Sequence, residues 1–278
     1  MTATTLASPT LAAPTLGHKG AGLFAATLTI AGRAVKKALR TPQLIVAGTL
    51  QGLMFLIIFR YVFGGAISQT GTMSYVDFVV PGFVATTVLF SGMGSAIAIA
   101  EDLHEGIIDR LRSLPAPSLA IICGRVLGDM ALTTWSLTVT TAIGFAVGFR
   151  VHSGVAQALL AFVLCVVFGF ALSWLFVALG FVAGSPQAAQ STAFLVFPFT
   201  FVSSAFVPVS TMPSWMQGFA AHQPVTEMVN SVRILTEGPA AQAVLGHSVG
   251  AYLPWATVWA LLIVLICAPF SIARLRRG

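Results

Sequence analysis

Long apolar runs alternate with short polar connections along most of this chain. A helix needs about 20 mainly apolar residues to cross roughly 30 Å of hydrocarbon. On that measure the pattern predicts six spans, over about 43–63, 76–100, 119–149, 157–182, 188–207 and 252–272. Thr41-Pro42 breaks the chain before the first, and Gly184-Ser185-Pro186-Gln187 turns it between the fourth and fifth. The ten-residue alternation of a membrane β-barrel is missing. The expected fold is an all-α integral membrane protein, with one domain over 23–278 behind a tail over 1–22. That tail is rich in Thr, Ala and Pro and carries no charge before Lys19. It is expected to be disordered rather than a secretory signal.

Three stretches are amphipathic without being apolar enough to cross. Over Leu23 to Arg40, a helical wheel puts Phe24, Leu28, Ala31, Val35 and Leu39 on one face and Arg33, Lys36, Lys37 and Arg40 on the other. This predicts a helix lying flat on a membrane surface. Over Glu101 to Pro117, Leu103, Ile107, Leu111 and Leu114 share a stripe, opposite Glu101, Glu105, Asp109 and Arg112. Acids open this helix and arginines close it, as the helix dipole favours, and Pro115 and Pro117 stop it. It is either a solvated surface helix or a lever that docks on a soluble partner through Glu101, Asp102, His104, Glu105, Asp109, Arg110 and Arg112. Gly106 within it would permit close backbone approach.

The third stretch, over 210–238, predicts a hairpin of two short helices dipping toward the outer leaflet. Phe197-Pro198 and Val207-Pro208 interrupt the fifth span just before it. Pro213 opens the first helix, with Trp215 and Phe219 on one side. Pro224 opens the second, with Val225, Met228, Val229 and Val232 on one face, and Gly238-Pro239 ends it. Irregular backbone at membrane depth must be buried or line a cavity, so the hairpin is either an interfacial cap or a gate.

Composition supports the membrane assignment: 57% of residues are hydrophobic, 8% are charged, and mean hydropathy is +0.93. A soluble domain carries about 25% charged residues. The net charge of +6 comes from basic residues flanking the apolar runs. Orientation and anionic headgroups account for it, and nucleic acid is not an expected partner. With both termini cytoplasmic, Lys19, Arg33, Lys36, Lys37, Arg40, Arg110, Arg112, Arg125, Arg274, Arg276 and Arg277 fall inside. Only Arg60, Arg150 and Arg233 fall outside. This bias places 101–117 in the cytoplasm.

Little in the chain suggests catalysis. No phosphate loop of the G-x-x-x-x-G-K-[ST] type occurs, and Gly92-Met93-Gly94 lies inside an apolar run. Energy for any transport must therefore come from a partner. Asp77, Glu101, Arg125 and Asp129 lie near span ends, and Arg125 and Asp129 have the spacing of a helical ion pair, with a contact to the 101–117 segment as the alternative. Cys123, Cys165 and Cys267 stand alone, without metal-ligand spacing. Gly48 and Gly52, Gly124 and Gly128, Gly144 and Gly148, and Gly180 and Gly184 have a G-x-x-x-G spacing that favours tight helix packing.

The order of these elements, with EDLHEGIIDRLRSLPAP after the second span and FPFTFVSSAFVPVSTMPSWMQGFAAHQPVTEMVNSVR before the last, resembles the permease subunit of type-2 ABC exporters. Within that family it looks like the daunorubicin-resistance branch of actinobacteria, over nearly the whole chain after residue 22. The resemblance implies a six-span half-transporter in a bacterial plasma membrane that pairs with a second copy of itself and two ATP-binding cassette subunits. ATP and Mg would be held by those subunits, with no cofactor on this chain. It also implies that the segment matching 101–117 contains a coupling helix, that the basic helix touches the ATPase, and that 212–233 forms a re-entrant outer hairpin. The expected cargo is an amphiphilic drug or lipid. A secondary transporter or channel working without an ATPase is the alternative class, and a scaffold for membrane assembly is a third.

Overall fold

The computed structural model describes residues 22–40, 53–63, 73–112 and 118–277. The predicted tail through residue 21, the Thr41-Pro42 break, the first half of the first span with Gly48 and Gly52, and Leu114, Pro115 and Pro117 lie outside the described residues. All regular structure among the described residues is helical. The helices are α1 (Leu23–Leu39), α2 (Leu53–Val62, widening to a π-turn over Phe59–Phe63), α3 (Tyr75–His104), α4 (Ile107–Arg112), α5 (Ser118–Val147) and α6 (Val155–Ala183). They continue as α7 (Pro186–Phe194), α8 (Phe197–Phe201), α9 (Ser214–His222), α10 (Pro224–Glu237), α11 (Pro239–Leu245) and α12 (Val249–Arg277).

Among the described residues, four helices are long and apolar enough to cross a membrane: Tyr75–His104, Leu119–Val147, Val155–Ala183 and Val249–Arg276. They stand where the second, third, fourth and sixth spans are predicted. The predicted fifth span is not one helix. Ser185 accepts a hydrogen bond from the Ala188 amide at 3.2 Å and Pro186 follows it, so α7 starts cleanly. It ends at Phe194 because Pro198 has no N–H to donate to the Phe194 carbonyl. Only five helical residues follow, in α8.

Helices α3 and α6 form the centre, with α5, α7 and α10 packed on α3 and α12 packed on α6 and α10. Their side chains make two apolar cores. The larger joins Val80, Phe83 and Val88 of α3 to Phe168 and Phe176 of α6 and to Met228 and Val229 of α10. The smaller joins Ile99, Ile122, Val126, Trp174 and Leu275 at the other end of the long helices, and it includes Ile108 of α4.

The glycine pairs are used unequally. A methyl group on Gly124 or Gly128 would press within 2.7 Å of Ile30 or Ala34, so these two glycines let α1 lie along α5. Gly144 and Gly180 face α3, at Val80 and at Ala96 and Ile99, whereas their predicted partners Gly148 and Gly184 end helices at positive φ. Helix α1 therefore packs through Ala26, Thr27, Ile30 and Ala34, not through the predicted apolar face. Phe24, Leu28 and Leu39 of that face remain exposed, as suits a surface open to acyl chains.

The closest approach of backbone to backbone lies at Gly82, where an added methyl would overlap the Ala205 carbonyl oxygen. Gly82→Ala should cost about 1–3 kcal/mol through overpacking and lower the melting temperature in detergent. Gly218, with open space around it, should tolerate alanine without loss. Equal melting temperatures for the two variants would contradict this packing.

Candidate functional site: an inner charged surface and a buried outer helix

The segment after α3 is built differently from the single wheel its sequence suggests. Helix α3 ends at His104, Gly106 takes φ +67°, and α4 begins at Ile107. Open space surrounds Gly106, so the glycine serves a left-handed turn and not a close approach. The turn resets the register, and the buried side chain of the segment is Ile108 in place of the predicted Ile107. Leu103 and Leu111 flank it, partly buried in the smaller core. His104, Glu105, Asp109 and Arg110 are exposed, Glu101 and Asp102 half-buried, and Arg112 is the last residue of α4.

Charges tie this segment to its neighbours. The Arg125 guanidinium meets Asp129 at 3.1 Å, one turn along α5, and reaches Asp102 at 3.8 Å. Both readings of the Arg125–Asp129 spacing therefore hold together. Arg33 and Lys37 of α1 add to the positive field at Asp102. Arg33 and Lys37 of α1 thus stand beside the acids Asp102 and Glu105 of the turn, and Lys36 and Arg40 of the same helix are exposed.

At the other end, the two predicted hairpin helices have opposite fates. In α9, Trp215 is 81% exposed and Phe219 also lies open. Pro208 is half-buried ahead of it and Pro213 exposed at its start. Helix α10 is enclosed by protein: after half-buried Pro224, every residue from Val225 to Glu237 is buried. Val225, Met228 and Val229 enter the larger core, as an apolar face must. Its polar face is enclosed too, because Thr226, Asn230 and Arg233 follow helical spacing and meet the 203–206 strand of irregular chain.

The Arg233 guanidinium is 0% exposed, and each of its five N–H donors has an acceptor. Nε donates to the Phe78 carbonyl at 3.0 Å. One terminal nitrogen donates to Ser204 Oγ at 2.8 Å and Asn230 Oδ1 at 3.0 Å. The other donates to the carbonyls of Ser204 at 2.7 Å and Ala205 at 3.3 Å. The Phe78 ring lies 3.7 Å from the guanidinium carbon, a cation–π contact. Ser204 Oγ also donates to Asn230 Oδ1, and the Ser204 amide to Thr226 Oγ1 at 3.2 Å. Gln223 adds two bonds to the carbonyls of Phe199 and Val202, at 3.1 and 2.6 Å.

Arg233, which the sequence counts on the outer side, is thus fully buried within the protein. The i, i+4, i+7 run of Thr226, Asn230 and Arg233 was its legible signal. Beyond α10, the Glu237 carboxylate bonds the His152 ring at 2.8 Å. Burial pushes the Glu237 carboxyl up to about 7, and the hydrogen bond to Glu237 raises the His152 imidazole above its usual value.

The model of the family described as ABC-2 type transporters matches residues 25–236. The chain belongs to that family. The permease is 35% identical over 216 residues, 77% of itself and 76% of the relative, to the daunorubicin resistance ABC transporter permease protein DrrB1 of Streptomyces coeruleorubidus. It is 24% identical over 257 residues, 90% and 88% of the two chains, to the probable doxorubicin resistance permease DrrC of Mycobacterium tuberculosis. Over 197 residues, 69% of itself and 74% of the relative, it is 27% identical to the inner membrane transport permease YadH of Escherichia coli. The permease is a transmembrane subunit of an ABC exporter and a multi-pass plasma-membrane protein.

Within this permease, lysine at 233 has too few donors for the five acceptors, and each one left unpaired costs about 1–3 kcal/mol. Arg233→Lys should therefore lower thermal stability and monodisperse yield more than Ser204→Ala does. A melting temperature for Arg233→Lys equal to the parent's would refute the clamp.

Proposed function

We propose that this chain is the export permease of a homodimer with two ATP-binding cassette subunits, and that ATP and Mg act only on those subunits. It moves an amphiphilic drug or lipid outward. Six spans, with both termini in the cytoplasm, satisfy the inside excess of Lys and Arg. The fifth is made by α7 and α8. The observation that carries the reading is the His104–Arg112 segment. It exposes His104, Glu105, Asp109 and Arg110, is seated by Ile108, and lies beside the basic helix.

Such a segment has the attributes of a coupling element. A soluble ATPase would meet its charged side together with Arg33, Lys36, Lys37 and Arg40. Motion would pass along α3 directly and through the Arg125 ion pairs into α5. The relatives named for daunorubicin and doxorubicin resistance support an aromatic, amphiphilic cargo. So does a run of phenylalanine contacts through Phe194, Phe197, Phe201 and Phe206 to Phe59. Trp215 and Phe219 of α9 then lie at the outer surface, where cargo leaves or lipid begins.

Glu105→Arg should lower recovery of the ATPase on co-purification and cargo-stimulated hydrolysis by about tenfold, the effect of roughly 1.4 kcal/mol. Gly106→Val, a β-branched residue forced to positive φ, should reduce hydrolysis while the chain still inserts. Cysteines at Glu105 and Gln242 in a cysteine-free background should react with an impermeant thiol reagent from opposite sides. Parent-like coupling in both variants would make the segment a mere surface helix, and labelling of both cysteines from outside would overturn the topology.

A further inference from the structure

On the face opposite the 104–110 segment, three elements bring metal-ligating side chains together: Asp77 from the first turn of α3, His152 from the turn before α6, and Glu237 from the last turn of α10. One ligand atom from each lies within 4.8 Å of the others. The supports are firm. Asp77 is held by the Ser74 hydroxyl at 2.7 Å. The amides of His152 and Ser153 donate to the Thr236 carbonyl at 2.9 and 3.1 Å, docking the turn on the end of α10.

Two further atoms mark the place as built to hold something. Glu237 is only 2% exposed, and while one of its oxygens meets His152, Oε1 is buried without a hydrogen-bond partner among the described residues. The Thr236 hydroxyl is occupied with the carbonyls of Val232 and Arg233. Ser153 Oγ is likewise buried and unpaired, and it lies where a methyl on Gly238 would come within 2.8 Å. A buried carboxylate beside a second carboxylate, with one neutralisable neighbour, is costly unless a cation joins them.

We propose that Asp77, His152 and Glu237 form an extracytoplasmic binding site for a divalent transition-metal ion of the zinc type. One imidazole and two carboxylates suit zinc, with water completing a tetrahedron. Calcium would need six or more oxygens. Ligand atoms around zinc stand about 3.3 Å apart, from bond lengths of roughly 2.0–2.2 Å. The bound ion would tie α3, the turn before α6 and α10 together at the outer end of the helices.

The test is zinc uptake by the full chain with its ATPase partner in nanodiscs, purified on a tag without histidine and measured by equilibrium dialysis and elemental analysis. The expected result is saturable binding of about one zinc per chain that an excess of calcium or magnesium does not displace. His152→Ala and Asp77→Asn, both at positions that are not fully buried, should each weaken uptake by at least about tenfold. Zinc should also raise the melting temperature of the parent and not that of His152→Ala. Absence of saturable uptake by the parent, or uptake by His152→Ala equal to the parent's, overturns the proposal. Neither readout depends on transport, so failure here leaves the exporter reading standing.

Discussion

A guanidinium removed from water must find an acceptor for every N–H, and the outer half of this molecule is arranged around that requirement. Arg233 satisfies it with three different parts of the chain: the Phe78 carbonyl of α3, the carbonyls and hydroxyl of Ser204 and Ala205, and Asn230 of its own helix. Among the described residues, no carboxylate forms a salt bridge with it. Oriented carbonyl dipoles and the face of Phe78 stabilise its charge, and they are effective because the surroundings are of low dielectric. The irregular 203–206 segment can therefore exist deep among apolar helices, since the arginine occupies carbonyls that a helix would otherwise bond internally. Gly82 completes the arrangement by letting Ala205 press against α3.

This clamp divides the molecule mechanically. Around Arg233, α3, α10 and the 203–206 segment behave as one block, bonded by polar groups that cannot be broken singly without leaving a buried acceptor bare. The other end is joined more loosely. There the smaller core, one isoleucine of α4, and the ion pairs of Arg125 hold the turn at Gly106, whose charged side chains face water. The Arg125–Asp129 pair is largely enclosed, while the longer contact to Asp102 is more exposed and correspondingly weaker. An energy-driven change would begin at this end and travel along α3 as a rigid element.

Much of this was legible beforehand, and the failures have physical causes. Four long helices followed from apolar run length alone, because a bilayer leaves the backbone few alternatives. The i, i+4 spacing of Arg125 and Asp129 predicted their pairing, and the alternative contact with the 101–117 segment is met at Asp102. The fifth span is broken where the sequence already marks Phe197-Pro198 as an interruption: Pro198 sets where α7 stops, and hydropathy alone does not register it. Gly106 misled because a wheel assumes one unbroken helix, whereas a single positive φ resets the register and exchanges Ile107 for Ile108. Arg233 was legible only in part: the sequence counts it on the outer side, but its burial needed the fold, because Thr, Asn and Arg at helical spacing can be satisfied by a neighbouring run of carbonyls. Thr27, Ile30 and Ala34 of α1 pack against Gly124 and Gly128, a contact only the fold reveals, while Phe24, Leu28 and Leu39 of the predicted lipid-facing stripe stay exposed.

Amide hydrogen exchange on the assembled transporter in nanodiscs, without nucleotide and with a trapped ATP state, tests this division directly. Amides of 224–237 and 203–206 should stay protected together in both states, while those of 104–111 change protection when nucleotide binds. Loss of protection in 224–237 independently of 203–206, with 104–111 unchanged, would show that the outer helix moves and the Gly106 turn does not, and would contradict the account.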